Sequence, residues 1–143
     1  MPASPGDSCR IDDQHLIRAI PEDFVRYYDA RDVNMLLTLF SDDGRVLAPF
    51  RPAGEGKMGL RDLFQTSFAQ FDPKNLKLIT IYVEVCGYIA YGYGSYQMNI
   101  KLPNGRRMED HGKWMASLRR TGTTWKMVAQ CWNTDLPLTA FGK

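Results

Sequence analysis

The chain is short of almost every residue that announces a particular chemistry. Its 143 residues hold two histidines, His15 and His111, and three cysteines, Cys9, Cys86 and Cys131. An odd number of thiols without metal-ligand spacing gives no sign of a metal centre. Two of them fall in strand-like segments, where a thiol acts as a small hydrophobe, and such sparing use suits a reducing cytoplasm. No apolar run approaches the roughly 20 residues of a membrane-spanning helix. Met1 to Cys9 contains Pro, Ser, Gly and Asp but no apolar core of a signal peptide. A cytoplasmic protein with no membrane partner is therefore expected, with residues 1–10 as a disordered tail and residues 11–143 as one domain. An excess of either charge is also missing, since 18 Lys and Arg against 16 Asp and Glu leave +2. Arg51, Lys57 and Arg61 are broken up by apolar residues, which argues against a nucleic-acid footprint. There is no phosphate loop, dinucleotide fingerprint or G-x-S-x-G elbow. Any reaction would run on acid–base chemistry, with no cofactor and no metal.

What is present is a strong strand pattern in the second half. Met108 to Pro137 reads as two long antiparallel strands joined by Arg120-Thr121-Gly122-Thr123. Gly112, Trp114, Ala116 and Leu118 take one face of the first, and His111, Lys113, Ser117 and Arg119 the other. In the second, Met127, Ala129 and Cys131 alternate with Lys126, Val128 and Gln130. Lys77 to Cys86 and Ile89 to Leu102 read as two more strands, with Pro103-Asn104-Gly105 turning the chain. The first half is helical. Leu16, Ile17, Ile20, Phe24, Tyr27 and Tyr28 stack on one face of a helix from Ile11 to Arg31, which Asp12 or Asp13 can cap. Pro21 either kinks it or opens a second helix. Asp32 caps a short helix ending near Phe40, Ser41-Asp42-Asp43-Gly44 is a turn, and Arg45 to Phe50 is a strand. A loop follows to Gly56, and then Leu60, Leu63, Phe64, Phe68 and Phe71 recur at helical spacing up to Asp72-Pro73. Helices first and a strand meander after them predict an α+β fold, a curved antiparallel sheet wrapped around N-terminal helices to form a cone-shaped pocket.

Several stretches together resemble the nuclear transport factor 2-like superfamily, and within it the SnoaL-like and ketosteroid isomerase-like proteins. They are Ala30-Arg31-Asp32, the run Leu36 to Gly44, Leu60-Arg61-Asp62-Leu63-Phe64, and the ending Gly112-Lys113-Trp114, Trp125-Lys126 and Trp132-Asn133-Thr134-Asp135. The likeness spans about residues 14 to 137. Such a superfold hosts isomerases, cyclases, dehydratases and non-catalytic binding domains. The resemblance implies three polar positions for a ketosteroid isomerase. Its tyrosine donor falls on Phe24, its base on Ala48 before Pro49, and its protonated aspartate on Ala116. All three are apolar here, so steroid isomerisation by that mechanism is not expected.

The same alignment turns Asp110, Gly112, Trp114 and Leu118 inward, together with Met127, Ala129, Cys131 and Asn133 of the last strand. It also brings Tyr91, Tyr93, Ser95 and Gln97 inward, and Tyr28 from the first helix; Ala90, Gly92 and Gly94 would fit a packed face equally well. Phe24, Tyr28, Ala48, Tyr91, Tyr93, Trp114, Ala116 and Asn133 thereby become candidate ligand contacts. Asp110 is the one carboxylate expected on this surface. Desolvated beside aromatic walls it would serve as a general base or acid; at the rim it would bond to a backbone N–H or face solvent. Glu109 and His111 belong to the opposite face, since adjacent strand residues alternate. Asn133 is placed to present an amide to a ligand carbonyl at the cone's mouth, and Asp135 to cap the turn before Pro137. The tryptophans serve as core or interface. By resemblance, a homodimer forms through the outer sheet face, with Met115, Val128 and Trp132 as apolar contacts. Two functions stay open: a cofactor-independent isomerase, cyclase or dehydratase acting on a small hydrophobic molecule through Asp110, and a non-catalytic binding or dimerisation domain.

Overall fold

The computed structural model describes residues 11–141, with side chains from Asp13 onward. The tail expected over residues 1–10, with Cys9, lies outside them, as does any cap from the Asp12 side chain. Helix α1 (Ile11–Asp29) runs unbroken through Pro21, so no second helix begins there. Ile17, Ile20, Phe24 and Tyr28 are its buried stripe. Asp13 does not cap it. It accepts from Trp125 Nε1 at 3.0 Å and pairs with Arg120 at 3.4 Å, which ties the helix to the sheet. In α2 (Val33–Thr38), Asp32 caps as expected by accepting from the Met35 N–H at 3.1 Å. Helix α3 (Gly56–Phe71) buries Leu60, Leu63 and Phe64 and stops at Asp72, whose left-handed φ of 41° precedes Pro73.

Six strands form one sheet: β1 (Phe40–Leu47), β2 (Gly54–Glu55), β3 (Lys74–Cys86), β4 (Ile89–Lys101), β5 (Arg107–Thr121) and β6 (Thr124–Thr134). Their order is β2-β1-β6-β5-β4-β3. Every pairing is antiparallel except that of β1 with β6, which is parallel. The fold is α+β, with a curved, unclosed sheet around the helices; the parallel neighbour is the departure from expectation. The turn expected at Ser41-Asp42-Asp43-Gly44 lies inside β1, as an irregularity between the Phe40–Met127 and Arg45–Ala129 pairings.

Curvature comes from interrupted ladders and from glycine. Extra residues enter β3 between Thr80 and Tyr82 and β6 between Met127 and Ala129, and such bulges bend a strand and increase its twist. A Cβ on Gly94 would stand 1.8 Å from the Ile79 carbonyl oxygen, and one on Gly112 2.1 Å from that of Asn133. Only glycine lets these backbones approach so closely. Inside the bend, Phe24, Tyr28, Phe64 and Phe68 form an aromatic cluster with centroids from 4.9 to 6.5 Å apart. Each such pair adds about 0.5–1.5 kcal/mol beyond simple burial.

Candidate active site inside the cone

Strand register decides which side chains enter the cone. Gly92 pairs with Ala116 and Ala116 with Gln130; Gly94 with Trp114 and Trp114 with Trp132; Tyr96 with Gly112 and Gly112 with Thr134; and Met98 with Asp110. Directly paired residues share a face, and here that face lies against the helices. Asp110, Trp114 and Ala116 therefore point inward as expected, and Phe24, Tyr28 and Ala48 join them on the walls of the interior cavities.

Three of the expected contacts do not. Tyr91 and Tyr93 are 38% and 40% exposed on the outer face, because the small residues Ala90, Gly92 and Gly94 take the inner positions of β4. Asn133 is exposed, and Trp132 faces inward, not onto the outer surface. The cause is the bulge at Val128: one extra residue inverts the alternation, so Gln130, Trp132 and Thr134 replace Ala129, Cys131 and Asn133 in the cone. Cys86 and Cys131 are likewise exposed and do not act as buried hydrophobes. Asp135 is held by Lys113 at 2.5 Å and His111 at 3.6 Å, outside the cone.

Among the described residues, three small neighbouring cavities follow one another through the cone. The innermost, about 30 Å³, is lined by α1 and by Leu78, Val83, Ala116, Met127 and Gln130. The middle one, about 40 Å³, shares Phe24, Leu78, Trp114 and Gln130 with it and adds Tyr28, Tyr96, Met98 and Trp132. The outer one, also about 40 Å³, shares Tyr28, Met98 and Trp132 and adds Ala48, Arg51, Ser67, Asp110 and Thr134. Each has room for only one or a few waters. A ligand with several heavy atoms must therefore displace the side chains between them, and Met98 and Trp132 stand at the outer junction.

Asp110 is the acidic group in this run of cavities. It is 5% exposed. Tyr96 donates its hydroxyl to Oδ2 at 3.1 Å, and Thr134 donates to Oδ1 at 2.5 Å. Thr134 Oγ1 itself accepts from the Leu136 N–H at 3.0 Å, which leaves its proton aimed at the carboxylate. Burial raises the Asp110 pKa, while the bonds from Thr134 and Tyr96 pull the other way. Burial and the nearby carboxylate raise the Tyr96 phenol, and burial raises that of Tyr28. Both tyrosines thus remain donors across the range in which Asp110 titrates. The chemistry available is proton transfer: a desolvated carboxylate held in a fixed orientation, with the Tyr28 phenol lining the same cavity. Sequence reading could not assign the partners, Tyr96 and Thr134; the spacing Tyr96–Asp110 carries no local signal, and Thr134 needed the bulge.

These features place the chain among the cystatin-like α+β cones. A ketosteroid isomerase-like protein from Erwinia carotovora atroseptica superposes with a TM-score of 0.80 at 17% identity, covering 90% of this chain and 100% of that one. A nuclear transport factor 2-like protein with a cystatin-like fold from Novosphingobium aromaticivorans gives 0.72 at 16%, covering 92% and 87%. A type 2 hexachlorocyclohexane dehydrochlorinase gives 0.73 at 16%, covering 89% and 88%. Comparison with curated proteins finds no match. Residues 17–131 match the SnoaL-like domain, and the chain belongs to that family.

Proposed function

We propose that this protein is a cofactor-independent isomerase, cyclase or dehydratase that acts on a small hydrophobic carbonyl compound, with Asp110 as its proton shuttle. The observation that carries the reading is a carboxylate 5% exposed, held by two hydroxyl donors on the wall of an interior cavity. Ionised, it takes a proton from the carbon next to the carbonyl, and the Tyr28 phenol donates to the enolate oxygen that forms. Protonated, it returns that proton to another carbon of the conjugated system in an isomerisation, or to a departing hydroxyl in a dehydration. Neighbouring folds carrying isomerase-like and dehydrochlorinase names are in keeping with this chemistry.

The test is an NMR titration of the Asp110 carboxyl, assigned with Asp110→Asn, alongside a panel of small hydrophobic ketones. Support is a carboxyl pKa above the ordinary range that moves again with a ketone, together with shifts at Tyr28, Met98 and Trp132. An ordinary pKa and no ketone response would sink the mechanism.

A second reading has its own observation. The outer sheet face exposes Ile79, Ile81, Tyr82, Tyr91, Tyr93 and Met115 side by side, a contiguous apolar surface of the kind that marks association. We infer that two copies pair through this face. Such a dimer would serve the enzyme equally well, or would be the main role of a non-catalytic domain.

A further inference from the structure

Gln130 has no place in the proton transfer at Asp110, yet it occupies the middle of the cone. Its side chain lies at the junction of the inner and middle cavities, whose walls are otherwise nearly all carbon. It is 8% exposed, and its Oε1 is buried and accepts no hydrogen bond from any described residue. Native proteins rarely leave such an atom unmade, because its desolvation is not repaid. The chain could have avoided the difficulty: Ala116 and Gly92, beside it in the same cross-strand row, are apolar. Tyr28 and Tyr96 line the middle cavity with Gln130, and the Tyr96 hydroxyl is engaged with Asp110.

We propose that Gln130 is a specificity-determining residue for a hydroxyl group on a hydrophobic ligand. A hydroxyl can donate to Oε1 and, if the amide turns over, accept from Nε2, so either orientation of the amide is satisfied. Asp110 lies six positions from Ala116, the cross-strand partner of Gln130. At about 3.3 Å per residue the two polar points are well separated along β5, so a ligand that reached both would carry its hydroxyl away from any carbonyl at Asp110. This inference rests on the cone being a ligand site, but not on Asp110 being its acid–base group.

The probes are phenol and cyclohexanol against their methyl isosteres toluene and methylcyclohexane. The readout is the Gln130 side-chain amide in a ¹H–¹⁵N spectrum, assigned by its disappearance in Gln130→Leu. The alcohols are expected to move this resonance and to bind at least about tenfold more tightly than the isosteres. Gln130→Leu and Gln130→Met should both abolish the preference while raising the melting temperature, since each removes an unpaired buried acceptor. Equal binding of alcohol and isostere, no response at Gln130, or a preference that survives both substitutions would overturn the assignment. If the Asp110 carboxyl still responded to ketones, the proton-transfer reading would stand without it.

Discussion

Asp110 is where a single residue sets opposing demands on stability and chemistry. A carboxyl whose folded pKa lies above its unfolded value binds its proton more tightly in the native state. It favours folding at low pH, and that contribution is lost as the pH rises through the folded pKa. Relative to Asp110→Asn, the wild type should therefore lose stability as the pH rises above the ordinary aspartate range and through the raised pKa, as read by thermal melts at a series of pH values; parallel curves would refute the shift. Asp72 and Asp135, held below the usual carboxylate range by their neighbours Arg31 and Lys113, work in the opposite sense. Trp132 gives a second residue-scale expectation. Since it is partly buried and packs against the core from inside the cone, Trp132→Glu should destabilise by about 2 kcal/mol or more, through lost aromatic packing and a partly desolvated charge, as read by thermal melts. The inward set Phe24, Tyr28, Asp110, Trp114 and Ala116 was legible from the resemblance to the isomerase-like cones, carried along each element by its helical or strand period. Gln130, Trp132 and Thr134 were not, because a bulge leaves no mark in local composition. Only the weak separation of the two faces around Val128 hinted that the alternation fails there.

At the level of the element, the helices and hairpins were readable because their signals are local: an apolar stripe at helical spacing, a capping aspartate, Gly105 and Gly122 with φ of 83° and 64° at the turns. The facing of β4 was not. Large aromatics suggest an interior, but a strand that bends against a neighbouring backbone needs its smallest residues inside. Gly94 and Gly92 separate the two effects. Gly94→Ala sets a Cβ 1.8 Å from backbone and should cost about 3 kcal/mol, whereas at Gly92 the nearest atom is 3.2 Å away and the cost should be well under half of that. Denaturant unfolding of both variants is the check, and equal losses would mean that the bend does not depend on the close approach.

For the whole molecule, the tyrosines displaced from the cone acquire a different meaning. Tyr82, Tyr91 and Tyr93 lie against one another with centroids 5.7 and 6.1 Å from the Tyr82 ring, and Ile79, Ile81 and Met115 extend the patch. Burying such a face contributes about 25 cal/mol per Å² of apolar area. If two copies pair through this face as proposed, Tyr93→Glu should halve the mass seen by light scattering while leaving the far-ultraviolet spectrum intact; a mass that the substitution leaves unchanged would refute the pairing. The parallel pairing of β1 with β6 has a consequence of another kind. Arg45 meets Ala129 across most of the chain, so the strand made early in synthesis cannot find its neighbour until the last hairpin has left the ribosome. Helix α1 can settle on β3 before that, but the part of the wall that β6 supplies, with Trp125 bound to Asp13, is added only at the end. The newborn chain is most vulnerable to proteases and to aggregation in that interval, and its folding should be governed by this slow long-range closure.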